Sequence, residues 1–146
     1  MILLVRHALA VPRSDWDGDD ARRPLTSRGK RQSAGLPDVL KAFEIERIVT
    51  SPTTRCKASF TPLAKERLLP VKTSKLLREG RGHDALDLVL DAVGDVAFCT
   101  HGDVIEVVLH GLRRLGWPLP PRPRQAKGST WVLSRSEECR YLPPPG

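Results

Sequence analysis

Two short apolar runs, one at the start of the chain and one far downstream, each end at a histidine. Leu3–His7 reads Leu-Leu-Val-Arg-His, and Cys99–Gly102 reads Cys-Thr-His-Gly. An apolar run of strand length that is bounded by a polar turn predicts a buried strand, and such strands are typical of parallel sheets in α/β proteins. Ligands in these sheets bind just past the carboxyl ends of the strands. We therefore expect Arg6, His7 and His101 to share one cationic pocket.

Strand and helix patterns alternate along the chain. We predict strands over residues 1–6, 46–50, 70–74, 95–100 and 129–133. We predict helices over residues 27–43, from 51 to 68, over 83–93 and over 102–115. Pro37 should kink the first helix or end it early, and Pro62 should bend or break the second. The second helix is expected to begin with Ser51 as its N-cap and Pro52 in its first turn.

This alternation, with right-handed crossovers, predicts an α/β fold in which helices cover both faces of a mostly parallel central sheet. The arrangement is a three-layer sandwich. A chain of 146 residues is the size of one domain, so residues 1–146 are expected to form a single domain. The proline-rich stretch over residues 116–128 is interpreted as a loop, and the tail over residues 142–146 is expected to fray.

The balance of charges indicates the kind of partner to expect. The formal net charge is +7, which favours anionic partners such as phosphate esters, phosphoproteins or nucleic acid. The 3 cysteines are widely spaced and form no Cys-x-x-Cys pair, which is a poor disulfide framework. The apolar stretch over residues 1–5 is too short for a signal peptide or a membrane span. We expect a soluble, cytoplasmic protein with no membrane association.

Three short motifs carry side chains that suit phosphoryl chemistry. In Arg6-His7, a neutral imidazole can attack phosphorus, and a guanidinium can bind phosphate oxygens as a planar fork. Ser51–Arg55 (Ser-Pro-Thr-Thr-Arg) places an arginine near a helix N-terminus, where free N–H groups already bind anions. In Thr100–Gly102 the glycine allows the backbone to approach a ligand closely. Each motif alone also has a structural explanation: a buried histidine, a capped helix or a turn glycine.

Taken together, the three motifs resemble the histidine phosphatase superfamily, also called the phosphoglycerate mutase-like family. Leu77–Gly80 (Leu-Arg-Glu-Gly) looks like the segment that often supplies the proton donor in that family. The short chain and the stretch Asp20–Gly29 resemble the SixA-type phosphohistidine phosphatases in particular. Lys127–Leu133 also resembles phosphatase domains that follow a Nudix domain in some bacterial proteins. Ala8 departs from the glycine that follows the first histidine elsewhere in the superfamily.

The resemblance implies a role for each residue of the site. His7 would be the nucleophile, and Glu79 would be either the proton donor or a surface carboxylate. Either Arg23 or its neighbour Arg22 would extend the phosphate site. The residues implied to bind the phosphoryl group are Arg6, Arg23, Arg55, His101 and Gly102. No metal-ligand spacing appears in the sequence, so we expect neither a metal nor a cofactor.

The implied activity is that of a metal-independent phosphatase, a hydrolase that forms a phosphohistidine intermediate on His7. Its substrate would be a phosphohistidine in a protein, which makes it a phosphohistidine phosphatase, or a small phosphomonoester. Two alternatives remain. One is a nucleotide or small-molecule phosphatase related to the Nudix-associated domains. The other is a non-catalytic basic module that binds nucleic acid, although the aromatic content of 5% offers few side chains for base stacking.

Overall fold

The computed structural model describes residues 1–146 and contains one sheet between two layers of helices. The six strands are β1 (Ile2–Arg6), β2 (Arg47–Thr50), β3 (Val71–Thr73), β4 (Val96–Thr100), β5 (Thr130–Leu133) and β6 (Arg140–Leu142). The four α-helices are α1 (Ser27–Val39), α2 (Thr54–Arg67), α3 (Gly82–Asp91) and α4 (Gly102–Arg114). Three 3₁₀ turns occupy Arg13–Asp15, Asp20–Arg22 and Lys75–Leu77.

The strand order across the sheet is β3-β2-β4-β1-β5-β6. The first four strands in this order are parallel, whereas β5 runs antiparallel to β1 and β6 runs antiparallel to β5. The predicted α/β class and the mostly parallel sheet are therefore confirmed. The sequence analysis did not predict β6, which has three residues.

Side chains of each central strand alternate between the two faces of the sheet, as the twofold period of a strand requires. On β1, Leu3 and Val5 pack into a core with α1 and α2. Ile2 and Leu4 on the same strand pack into a second core with α3 and α4. The helices therefore form layers on both faces, and the carboxyl ends of the parallel strands stay free for a site.

The expected start of α2 is wrong. The helix begins at Thr54 with Thr53 as its N-cap, rather than at Ser51-Pro52. Ser51 instead extends the sheet, because its N–H donates to the carbonyl of Cys99 over 3.0 Å. Its hydroxyl is engaged by His101 at 2.9 Å and caps no helix.

Two predicted helices end early, and one runs past its proline. Pro37 lacks the N–H that would continue the hydrogen-bond ladder, and α1 ends two residues later at Val39. The third helix ends at Asp91, two residues before its predicted end, and Val93 beyond it is exposed. In contrast, α2 continues through Pro62 as far as Arg67, where Leu68 closes it in the left-handed conformation (φ 57°) and lies exposed.

The C-terminal tail packs against the fold and does not project from it, contrary to the expectation of fraying. A Cβ atom on Gly35 of α1 would lie 2.8 Å from Cβ of Pro145. A Cβ atom on Gly128 would lie 3.3 Å from Cβ of Pro144. The three-residue strand β6 directs these prolines across the sheet edge and onto α1.

None of the four helices combines the length and the apolar character that crossing a membrane requires.

Candidate active site

The pairing of β1 with β4 brings the two histidines together. Arg6 lies opposite Thr100 in the parallel register, so the residues that follow them, His7 and His101, are neighbours. The N–H of His7 donates to the carbonyl of Thr100 over 3.1 Å, which extends the ladder to the first histidine. The two imidazole rings meet edge to face with their centroids 5.5 Å apart. Both rings are buried.

The hydrogen bonds of His7 define its tautomer. Nδ1 lies 2.8 Å from the carbonyl oxygen of Ala8. Because that oxygen can only accept, Nδ1 carries the proton and Nε2 holds the free lone pair. Burial lowers the pKa of His7 from 6.5 to about 4, and the nearby Arg55 and His101 act in the same direction. His7 is thus a neutral imidazole at neutral pH.

His101 is held through its other ring nitrogen. Nε2 is 2.9 Å from Oγ of Ser51 and 3.7 Å from Sγ of Cys56. Nδ1 is buried without a hydrogen-bond partner and lies 3.4 Å from Oε1 of Glu79. The ring therefore presents one unpaired nitrogen toward the side of the site that Glu79 occupies.

Arg6 lies across the first turn of α4. Its Nη1 donates to the carbonyl of Gln125 over 2.8 Å, whereas its Nε is buried without a partner. A Cβ atom at Gly102 would lie 2.7 Å from Nη2 of Arg6, so the absence of a side chain makes room for the guanidinium. Burial lowers the pKa of the Arg6 guanidinium below its usual value, and Asp103 opposes that shift.

Arg55 is almost completely buried, at 1% exposure, and lies behind Glu79. Its Nη2 donates to Oε1 of Glu79 over 2.6 Å, and its Nε has no partner. The exposed Arg13 holds the same carboxylate through both oxygens, at 3.0 and 2.8 Å. Burial acts to raise the pKa of Glu79, but the hydrogen bonds from Arg13 and Arg55 outweigh it and keep the pKa below its usual value. Glu79 is therefore a carboxylate at neutral pH.

Of the two candidate arginines at the end of the second 3₁₀ turn, Arg23 is buried beside the site and Arg22 is exposed. Nη1 of Arg23 donates to the carbonyl of Val11 over 2.7 Å, and Nε donates to Oδ1 of Asp20 over 3.0 Å. Both bonds tie the loop after β1 to itself. Arg23 also lines the cavity described below, which Arg22 does not.

These side chains surround a cavity of about 390 Å³ at the carboxyl ends of β1 and β4. Six of the residues singled out from the sequence line it: Arg6, His7, Arg23, Glu79, His101 and Gly102. Arg55 does not line this cavity; it borders an adjoining space of about 220 Å³ and reaches the main one through Glu79.

Four charged residues that the sequence analysis missed also belong to this region. Arg13, Asp103 and Lys127 line the cavity, and Asp20 contacts the arginines beside it. Lys127 lies in a segment that the sequence analysis noted only for its resemblance to Nudix-associated phosphatase domains, and Arg13 lies in none of the motifs noted there. The two other histidines, His83 and His110, are exposed and lie outside the cavity.

The geometry agrees with comparisons to known proteins. The family model of the histidine phosphatase superfamily (branch 1) matches residues 2–84. The 8-oxo-(d)GTP phosphatase of Mycolicibacterium smegmatis is 34% identical to this chain, and the match covers 99% of this chain. The match covers 48% of that relative, so the chain spans about half the length of the curated protein it resembles.

Solved structures of the same architecture superpose along nearly the whole chain. A SixA protein from Agrobacterium tumefaciens has a TM-score of 0.77 at 18% identity, covering 98% of this chain and 97% of that one. The protein histidine phosphatase SixA complexed with tungstate has a TM-score of 0.71 at 20% identity, covering 98% and 94%. These structures confirm the fold that the motifs predicted. The matching family model and the curated relative show that this chain belongs to the histidine phosphatase superfamily, branch 1.

Proposed function

We propose that this protein is a phosphatase that transfers the phosphoryl group of its substrate to Nε2 of His7. The lone pair of Nε2 attacks phosphorus, and the bond from phosphorus to the leaving group breaks. Water then attacks the phosphohistidine, releasing inorganic phosphate and restoring the neutral imidazole. The family of the chain supports this class of reaction.

One observation carries the proposal: His7 is a buried, neutral imidazole whose Nδ1–H is fixed by the carbonyl of Ala8. This hydrogen bond orients the ring and leaves Nε2 as the only nucleophilic nitrogen. A protonated imidazole could not attack phosphorus, so the lowered pKa keeps the nucleophile competent at neutral pH.

The buried donors around His7 suit the charge that develops during transfer. Nε of Arg6, Nε of Arg55 and Nδ1 of His101 make no hydrogen bond within the protein, although Nδ1 of His101 lies 3.4 Å from Oε1 of Glu79. Donors that are already in place when negative charge forms on phosphoryl oxygens stabilise the transition state strongly. In this proposal these three side chains bind the transferring group, and Arg23 and Gly102 complete its surroundings.

The test is to trap the intermediate. Wild-type protein mixed with a labelled substrate and quenched should carry a phosphoryl group that is stable in base and labile in acid. We expect His7→Asn to lose both the label and turnover while retaining its circular dichroism spectrum. His110→Asn is the matched control because His110 is exposed and lies outside the cavity. Turnover by His7→Asn at the wild-type rate would exclude the mechanism.

Two substrate classes are favoured by separate observations. The likeness in fold to SixA proteins supports phosphohistidine in a protein. The relative named an 8-oxo-(d)GTP phosphatase supports a nucleotide, and Arg13 and Lys127 would add cationic groups for it at the cavity. Phosphate release from phosphohistidine peptides, nucleotides and sugar phosphates, compared by kcat/KM, separates these classes. The class with the highest kcat/KM is the better assignment.

A further inference from the structure

The carboxylate of Asp20 contacts three arginines that surround the proposed phosphoryl site. Oδ1 accepts a hydrogen bond from Nε of Arg23 at 3.0 Å and lies 3.7 Å from Nε of Arg13. Oδ2 accepts from Nη2 of Arg55 at 3.2 Å, and the backbone carbonyl of Asp20 accepts from Nη1 of Arg55 at 2.9 Å. One short side chain thus links the loop after β1 to the first turn of α2.

Two of these arginines need such a partner because they are buried. The side chains of Arg55 and Arg23 are 1% and 9% exposed, whereas that of Asp20 is 46% exposed. A buried guanidinium without a countercharge is costly, and a flexible one would not hold a fixed direction. Asp20 supplies the charge from the solvent side, and its bonds to Nη1 and Nη2 of Arg55 leave Nε unpaired.

Arg55 has one other acidic partner, Glu79, at 2.6 Å from Nη2. Glu79 lines the main cavity, so a phosphoryl group that enters this cavity competes with Glu79 for Arg55. Asp20 lines the adjoining space and not the main cavity. When Arg55 releases Glu79, its guanidinium is still held by the carboxylate and the backbone carbonyl of Asp20.

The neighbouring Asp19 has a different structural role from that of Asp20. Its side chain accepts from the N–H of Ala21 at 3.2 Å and caps the 3₁₀ turn. Asp20 and Arg23 are three residues apart in the sequence, and the turn brings their side chains into contact. The loop therefore presents Asp20 to Arg55 in a defined position.

We infer that Asp20 is a positioning residue for phosphoryl transfer: it holds Arg55 and Arg23 in the orientation that the transition state requires, without touching the substrate. The inference rests on the proposed function and adds Asp20 to it as a residue that acts through Arg55 and Arg23. The effect is expected in kcat more than in KM, because orientation matters most when charge develops.

The experiment compares Asp20→Asn with Asp17→Asn. Both substitutions remove one negative charge from the same exposed loop, but Asp17 makes no side-chain hydrogen bond or ion pair. We expect Asp20→Asn to lower kcat by about 10- to 100-fold, the scale of a misplaced group in an active site. Asp17→Asn should stay within about twofold of wild type, as expected for an exposed charge without partners.

Calorimetric binding of two anions gives a readout that needs no turnover. Orthovanadate becomes five-coordinate when a nucleophile such as Nε2 of His7 adds to it and then resembles the transition state, whereas inorganic phosphate stays tetrahedral and resembles the ground state. Asp20→Asn should bind orthovanadate about tenfold more weakly while its affinity for phosphate does not fall, because loss of a nearby carboxylate favours anion binding in general. The cross-peak of the Arg55 Nε–H in ¹⁵N NMR spectra should also broaden or move to the position of a free arginine.

Several results would overturn the inference. They are an unchanged kcat and orthovanadate affinity in Asp20→Asn, an equal loss in Asp17→Asn, or equal losses for phosphate and orthovanadate. A wild-type protein that binds orthovanadate but hydrolyses no phosphate substrate would contradict the proposed function alone. The binding and NMR measurements would still decide the role of Asp20.

Discussion

The imidazole of His7 links the chemistry of the site to the stability of the fold. Its pKa is about 4 in the folded protein, lowered by burial from 6.5. Between these values the unfolded chain binds more protons than the folded one, so stability falls as the pH falls. Between about pH 7.5 and pH 5, this difference in proton binding lowers the free energy of unfolding by about 2 kcal/mol.

Urea denaturation of the wild type and of His7→Gln at these two pH values measures that cost. The wild type should lose about 2 kcal/mol more than the variant, since glutamine does not titrate. The comparison removes the contributions of all other groups, including the acidic residues with lowered pKa values. Equal losses in both proteins would mean that His7 takes up its proton as easily in the folded protein as in the unfolded chain.

Two kinds of leaving group can test whether Glu79 is the proton donor. Its pKa is lowered through Arg13 and Arg55, so it must gain a proton before it can act as a general acid. An arriving phosphoryl group competes for these arginines, which would raise that pKa again. An alkoxide leaving group needs the proton, whereas an imidazole can leave already protonated.

We therefore expect Glu79→Gln to slow the hydrolysis of alkyl phosphates by about 10²- to 10⁴-fold, the usual contribution of a general acid. Hydrolysis of a phosphohistidine peptide should be reduced far less. The measurement is kcat/KM on both substrates for both proteins. Equal losses on the two substrates would assign Glu79 to binding or structure.

Among the helices, α4 shows how a backbone position serves the site. Gly102 begins this helix, and a Cβ atom there would meet the flexible end of Arg6 at 2.7 Å. Gly102→Ala should displace the guanidinium at little cost to the fold, since alanine favours a helix by up to about 1 kcal/mol over glycine. We expect kcat/KM to fall by tenfold or more while the melting temperature changes little.

Gly111→Ala in the same helix is the matched control. Its Cβ atom would lie 2.4 Å from Cδ2 of Leu86, in the contact between α4 and α3 and away from the cavity. This substitution should lower the melting temperature and leave kcat/KM of the folded protein unchanged. If both variants lost stability and neither lost specific activity, the role of Gly102 in placing Arg6 would be wrong.

The strands and helices could be predicted because their signals are local. The apolar runs of β1 and β4 and the regular spacing in α4 each lie within one element. The ends of the elements were less predictable. The start of α2 differs from the predicted one because His101, 50 residues away, engages the hydroxyl of Ser51. The three residues of β6 carry too short a pattern to signal a strand.

The same distinction holds for the site. His7 and His101 follow strand ends, so the motif itself indicated their position. Asp20 and Arg13 act through partners far along the sequence: Asp20 contacts Arg55 across 35 residues, and Arg13 contacts Glu79 across 66. Only the folded chain brings such pairs together, and in the sequence these residues read as ordinary loop charges.

The net charge of +7 predicts how ionic strength affects the encounter with an anionic substrate. Salt screens exposed charges over about 8–10 Å at physiological ionic strength but affects buried pairs much less. Rising salt should therefore lower kcat/KM for an anionic substrate and leave kcat nearly constant. Steady-state rates measured from low to moderate salt check this, and a parallel fall in kcat would show that salt disturbs the site itself.

A nucleic-acid-binding module would behave differently. Its affinity for DNA or RNA should be high at low salt and fall linearly in log salt. We expect only weak binding in a gel-shift assay, which orthovanadate does not relieve because the cavity is not the contact. Tight binding that His7→Ala leaves unchanged, together with no hydrolysis of any phosphate substrate, would favour the binding module over the phosphatase.

The register of β1 against β4 has a consequence for how such a protein can change over evolutionary time. His7 and His101 follow Arg6 and Thr100, which are paired across neighbouring strands, so the spacing of the two rings is inherited from the sheet. Arg13, Arg23 and Lys127 come instead from connecting loops. Insertions and exchanges in those loops can alter which molecule enters the cavity while the two histidines keep their separation. Substrate preference can therefore diverge among related proteins while the arrangement of the two histidines stays the same.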